Sequence, residues 1–224
     1  MKLFLDSADP AEIEQALERG LIEGVTTNPS VLRAATGTSS MTQLKKIARL
    51  LGDHPPHLPF SVQVMADSPE ETVRQALSVA DELAYKSLVI KVSCGWEALR
   101  AVHRLARDGF QVNVTACMTT AQGLLAAAAG ARYVSFFAGK MSDAGMDPRT
   151  VVAQSVPLLE KHGVEVILGS LRRSYDVTEL ALAGAHVVTV PWRFLRPLAE
   201  HPKTAEAIDL FAADFQPLVA GQPG

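Results

Sequence analysis

In SLVIKV, residues 87 to 92, a run of branched apolar residues follows Ser87 and is broken once, by Lys91 near its C-terminal end. A continuous Val/Ile/Leu run, unlike an alternating one, predicts a strand covered on both faces, as in a parallel sheet flanked by helices. Similar runs lie on either side of it at regular intervals: KLFLD (2 to 6), GVTTN (24 to 28), FSVQV (60 to 64), QVNVTA (111 to 116), YVSFF (133 to 137), EVILGS (165 to 170) and HVVTV (186 to 190). Between them, AEIEQALERG (11 to 20), PEETVRQALSVADEL (69 to 83), WEALRAVHRLARDG (96 to 109) and SYDVTELALAGA (174 to 185) carry apolar residues at three- and four-residue intervals. Glycine stands near several of their ends, as expected of crossover helices.

Eight such strands alternating with helices predict an α/β fold, a single-domain (β/α)8 TIM barrel. A doubly wound open sheet is the rival, but that fold usually places a Gly-rich phosphate loop after its first strand, and no GxGxxG follows KLFLD. The barrel is expected over residues 1 to 200, its last helix near 193 to 200. Residues 201 to 224 add a C-terminal helix and tail to the same domain. That helix, TAEAIDLFAADF (204 to 215), offers Ile208, Leu210, Phe211 and Phe215 for burial against its own barrel or a neighbour's. HPPHLP (54 to 59) reads as a Pro-rich loop.

Composition narrows the function. The 224 residues are 48% apolar and 20% charged with a formal charge of −3, which leaves no basic surplus for a nucleic acid backbone. The N-terminal apolar stretch before Asp6 is too short for a signal sequence, and Gly123 to Ala131 is too short for a bilayer, so no membrane partner and a cytoplasmic location are expected. Cys94 and Cys117 form no CxxC pair and the six histidines show no ligand spacing; free thiols and no metal are the expectation.

In a barrel of this kind the active site lies at the C-terminal ends of the strands. Asp6, Thr27, Asn28, Gln63, Lys91, Thr115, Ser135 and Ser170 all fall at or near such ends. Buried singly, each would need a partner, whereas a shared polar pocket accommodates the set. A lone strand-end lysine is more often a solvated charge; with these neighbours, Lys91 is a candidate nucleophile, because desolvation disfavours the ammonium form. Ser170 also reads as a helix cap and Arg172 as a solvated charge.

GVTTNPSVL (24 to 32) resembles the transaldolase signature, and VIKV (89 to 92) is similar to the strand that carries the Schiff-base lysine of that family. NVTACMTTAQGLLAAAAGARYVSFFAGKMSD (113 to 143) resembles the family's fifth and sixth strands, and HPKTAEAIDLFAADF (201 to 215) its C-terminal segment. The resemblance runs end to end and fits the compact branch of small transaldolases and fructose-6-phosphate aldolases. It implies an imine on Lys91, acid/base work by Asp6, and a proton-relay water held by Gln63 and Thr115. It further implies a substrate surface of Thr27, Asn28, Ser135 and Phe137, with Ser170 and Arg172 as phosphate anchor. The substrates so implied are a sugar phosphate donor and an aldehyde acceptor, with no cofactor, in a homo-oligomer, pentamer or decamer, whose C-terminal helix crosses to a neighbour.

Three departures stand out. Lys140 occupies a position where the family usually has arginine, so a bidentate fork becomes a point charge. SCGWEA (93 to 98) replaces a Pro-containing turn, with Trp96 either lining the pocket or packing the following helix. Gln63 pairs with Phe137, where aldolases of the family combine Gln with Tyr and transferases Glu with Phe. Phe137 favours transfer of the dihydroxyacetone unit and Gln63 favours its release. An isomerase or synthase on the same barrel would need a strand-end carboxylate at the sixth or seventh strand, which is missing; a non-catalytic relative would not be expected to keep Asp6, Asn28, Lys91 and Thr115 together.

Overall fold

The computed structural model describes residues 1–35, 40–54 and 56–220, with side chains to residue 215. Pro55 of the expected Pro-rich loop and residues 221–224 of the tail therefore lie outside the described residues. In chain order the elements are β1 (Lys2–Asp6), α1 (Pro10–Glu18), β2 (Val25–Thr26), α2 (Pro29–Ala35), α3 (Ser40–Gly52), β3 (Phe60–Gln63), α4 (Pro69–Leu83), β4 (Leu88–Ser93) and α5 (Ala98–Arg107). They continue with β5 (Gln111–Cys117), α6 (Thr120–Ala128), β6 (Tyr133–Phe137), α7 (Ala138–Asp143), α8 (Pro148–Leu159), β7 (Glu165–Gly169), α9 (Asp176–Leu182), β8 (Val187–Pro191), α10 (Trp192–Leu195) and α11 (Pro202–Ala220). The eight strands pair in parallel, each with the next and β8 with β1, as a closed barrel. Among the described residues no helix is long and apolar enough to cross a membrane.

The expected strands are all present, β1 and β6 with the expected ends and most others with ends shifted by one residue. β2 is the exception: it covers two residues where five were expected. Pro29 has no N–H to give to a ladder, and Asn28 has already turned to start α2, its Oδ1 accepting from the Val31 amide at 3.0 Å. Extra helices appear where a crossover holds two, α2 with α3 and α7 with α8. The expected last barrel helix is instead the short α10 followed by a 3-10 turn, Arg196–Leu198, and α11 starts two residues before the expected 204.

Two apolar layers hold the barrel. The larger lies between the outer strand faces and the helices; the smaller fills the interior with Phe4, Val89, Tyr133, Ile167 and Val187. Gly24 makes room for that plug, because a Cβ there would lie 2.6 Å from the Phe4 ring. Side chains alternate along a strand, so the residue two places further on points into the same interior, one level nearer the C-terminal mouth. Those residues are Asp6, Lys91, Ser135, Gly169 and Thr189. One step of the strand repeat thus changes the barrel interior from a dry plug to a polar floor.

Candidate active site

Above the plug a cavity of about 590 Å³ opens at the C-terminal mouth, lined by Asp6, Thr26, Asn28, Gln63, Lys91, Ser135, Phe137, Ser170, Arg172 and Thr189 among others. Lys91 is buried, 4% exposed, and its Nζ donates to the carbonyl oxygen of Thr27 at 3.2 Å. Burial pushes its amine below the ordinary lysine range, and the field of Asp6 opposes that shift. Asp6 shows the converse: burial raises its carboxyl above the ordinary range against the opposing pull of Lys91, a hydrogen bond from Thr26 and the charge of Arg193. The floor is tied together around them. The Thr26 hydroxyl donates to Asp6 Oδ1 at 3.0 Å and meets the Thr189 hydroxyl at 2.6 Å. Ser135 donates to Asn113 Oδ1 at 2.7 Å, and Asn113 Nδ2 reaches Ser61 Oγ at 3.4 Å.

Of the residues singled out from the sequence, Asp6, Asn28, Gln63, Lys91, Ser135, Phe137, Ser170 and Arg172 come together on this cavity. Thr27 and Thr115 are fully buried and are not part of its lining; Thr27 contributes its main-chain carbonyl, its hydroxyl being given to the Ser61 carbonyl. Thr115 Oγ1 is enclosed without a hydrogen-bond partner among the described residues. A bulge between Val114 and Cys117 puts Ala116 at φ 60, and Ala116 rather than Thr115 reaches the lining. Lys140 lies outside the lining, its side chain 59% exposed and its Nζ 3.9 Å from Asp143. Trp96 is 79% exposed, so neither expected role for it, pocket wall or helix packing, is realised.

The reading by strand ends passed over Thr26, Ser61, Asn113 and Thr189, although the two-residue repeat back from Asn28, Gln63 and Thr115 picks out the first three. Arg193 carried no signal beyond its charge after the eighth strand. A second depression, about 630 Å³ between α7, α8 and the start of α9, shares Arg172 but contains no floor residue. Its Arg149 and Arg173 are paired with Asp147, Glu179 and Asp176.

A buried amine and a carboxyl thus share one polar cavity at this end of the parallel barrel. The family model described as transaldolase/fructose-6-phosphate aldolase matches residues 3–221. The chain belongs to the transaldolase/fructose-6-phosphate aldolase family. Relatives named probable transaldolase include those of Anaeromyxobacter dehalogenans (strain 2CP-C), 39% identical over 96% of this chain and 97% of the relative, and Thermoanaerobacter sp. (strain X514), 36% identical over 96% and 97%. That of Alkaliphilus metalliredigens (strain QYMF) is 35% identical over 98% of this chain and its own full length. The family is one of transferring or cleaving aldol enzymes, and Lys91, Asp6 and Asn28, which the resemblance singled out, all line this cavity.

Proposed function

We propose that the protein is a transaldolase that moves a dihydroxyacetone unit from a ketose phosphate to an aldehyde through a Schiff base on Lys91. The observation that carries this reading is the buried Lys91 amine, held below its ordinary protonation range at the floor of an open cavity. A neutral amine adds to the donor's C2 carbonyl, and loss of water from the carbinolamine leaves an iminium. Asp6 takes the proton of the C4 hydroxyl; the C3–C4 bond breaks, its electrons neutralise the iminium to an enamine, and an aldehyde departs. The enamine carbon then attacks the acceptor aldehyde, Asp6 returns the proton to the new alkoxide, and water hydrolyses the imine to free the product ketose and Lys91.

Gln63, directly opposite Lys91 in the β3–β4 register, supports a water relay for the dehydration step, with the enclosed Thr115 hydroxyl, which has no hydrogen-bond partner among the described residues, as its second contact behind the lining. Asn28 and Ser135 serve the dihydroxyacetone hydroxyls, while Ser170 and Arg172 serve the phosphate. The protein works as a homo-oligomer, which the exposure of every described side chain from His201 to Phe215 except Ala207 supports.

Borohydride reduction in the presence of fructose 6-phosphate, followed by peptide mapping, tests the covalent step: a stable adduct on Lys91 is expected, and an unlabelled chain overturns it. Gln63 favours a second reading, an aldolase that releases free dihydroxyacetone, since an amide stands where a transferase of the family has a carboxylate. Rapid release of dihydroxyacetone without any acceptor aldehyde would establish that order instead.

A further inference from the structure

We propose that Arg193 is the second cation of the substrate's phosphate site, in the place that Lys140 does not fill. This rests on the sugar-phosphate reading given above. A sugar phosphate carries between one and two negative charges and is held best by guanidinium forks that match its oxygens. Of the two basic residues that the sequence offers for that task, Lys140 is turned outward beside Asp143, and Arg172 is shared with the same Asp143 carboxylate.

Arg193 stands on the first turn of α10, immediately after β8, and lines a recess of about 430 Å³. That recess continues the main cavity: Asp6, Asn28, Ser30, Ser170 and Arg172 border both. Among the described residues Arg193 has no ion pair and no hydrogen bond; the ring of Phe194 lies 4.7 Å from the guanidinium carbon, and the charge of Arg193 is felt at Asp6. A stacked guanidinium keeps its edge donors free for an anion. The carboxylates on the same walls are already engaged. Asp9 caps α1 by accepting from the Ala11 amide, Glu12 accepts from the Ser7 hydroxyl, and Asp6 accepts from Thr26. Ser170, Arg172 and Arg193 therefore bound one recess in which Arg193, unlike Arg172, is a cation without an ion pair among the described residues.

Hydride trapping on Lys91 provides the test, with fructose 6-phosphate as the phosphorylated ligand and dihydroxyacetone as the ligand without phosphate. In Arg193→Ala the fructose 6-phosphate concentration giving half-maximal trapping should rise about tenfold or more, the effect of losing one charge-assisted contact. The dihydroxyacetone value should change far less, so the ratio of the two reports the phosphate alone. Arg193→Lys should recover part of the loss, and inorganic phosphate should protect the wild-type protein from trapping by fructose 6-phosphate better than it protects Arg193→Ala. An equal change for both ligands would assign Arg193 to the field it exerts on Asp6 and overturn the proposal, as would no change for either. Absence of any Lys91 adduct with dihydroxyacetone in the wild-type protein would instead mark failure of the Schiff-base reading.

Discussion

The Lys91 amine donates to the main-chain carbonyl of Thr27 at 3.2 Å, a partner that cannot turn away. Thr27 is fixed at both its other polar atoms, since its amide and its hydroxyl each donate to the Ser61 carbonyl at 2.9 Å. A carbonyl accepts from an amine and an ammonium alike, so this bond aims the nitrogen without choosing its protonation. Burial, which favours the amine, and Asp6, which favours the ammonium, make that choice.

Asp6→Asn separates the two influences. Trapping requires the neutral amine, so its rate climbs as pH rises through the Lys91 pKa. Removing the carboxylate removes what holds that pKa up, and the midpoint of the climb should move to lower pH for dihydroxyacetone trapping. Carbon–carbon cleavage, which needs the base, should fall by about a hundredfold or more. A midpoint that moves to higher pH would contradict the electrostatic assignment.

Thr26→Val acts on the other partner. Its hydroxyl hydrogen bond holds the Asp6 carboxyl down, so without it the pKa of Asp6 rises further, and the acid-side loss of activity should begin at higher pH. The Thr189 hydroxyl, 6% exposed, loses its 2.6 Å partner at the same time. A buried hydroxyl left alone costs roughly 1–3 kcal/mol, so a lower urea midpoint should accompany the shifted pH profile.

The barrel was legible because its signal is repeated: eight apolar runs, each followed by an amphipathic segment, fix the topology even when individual ends slip. Lys91 and Asp6 were legible because a charge at the end of such a run has few places to go. Thr115 was placed on the cavity by the same counting, and there the backbone intervened: the bulge before Cys117 inserts one residue, and Ala116 takes the lining position. Nothing in QVNVTA announces a bulge. Lys140 follows the same lesson at longer range, since the turn into α7 decides which way the side chain leaves, and Asp143, three residues on in the same helix, keeps it outside.

Phe137 and Gln63 border the same cavity, and on the proposed mechanism they set the fate of the enamine. Phe137→Tyr adds a phenol able to protonate it, so release of dihydroxyacetone without acceptor should rise about a hundredfold, the lower end of what a positioned acid contributes. Gln63→Glu should move the ratio of transfer to release the other way. Product analysis with and without glyceraldehyde 3-phosphate measures both; an unchanged ratio in both variants would remove these positions from the choice of reaction.

Cys94, just beyond the end of β4, and Cys117, the last residue of β5, lie close enough for their thiols to interact. A hydrogen bond with Cys117 brings the half-buried Cys94 thiol down to about 7, while the same bond and burial push the Cys117 thiol up. The thiolate is the reactive form. Iodoacetamide should therefore modify Cys94 with a rate that rises through about pH 7, while Cys117, fully buried, stays unlabelled until the protein unfolds. Preferential labelling of Cys117 in the native protein would contradict this order.

α11 poses the problem of a helix that its own barrel does not cover. At 19 residues it is about 28 Å long, and an isolated helix of that size is only marginally stable in water. Ile208, Leu210, Phe211 and Phe215 are each more than half exposed, so within one chain nothing offsets the cost of ordering them. Docking on a neighbouring subunit, as proposed above, would remove those side chains from water. Ile208→Glu combined with Phe211→Glu should therefore lower the mass measured by light scattering and reduce helical content, while Lys91 trapping with dihydroxyacetone persists because the floor of each barrel is complete in one chain. A wild-type protein that is monomeric at micromolar concentration would leave α11 without the proposed partner.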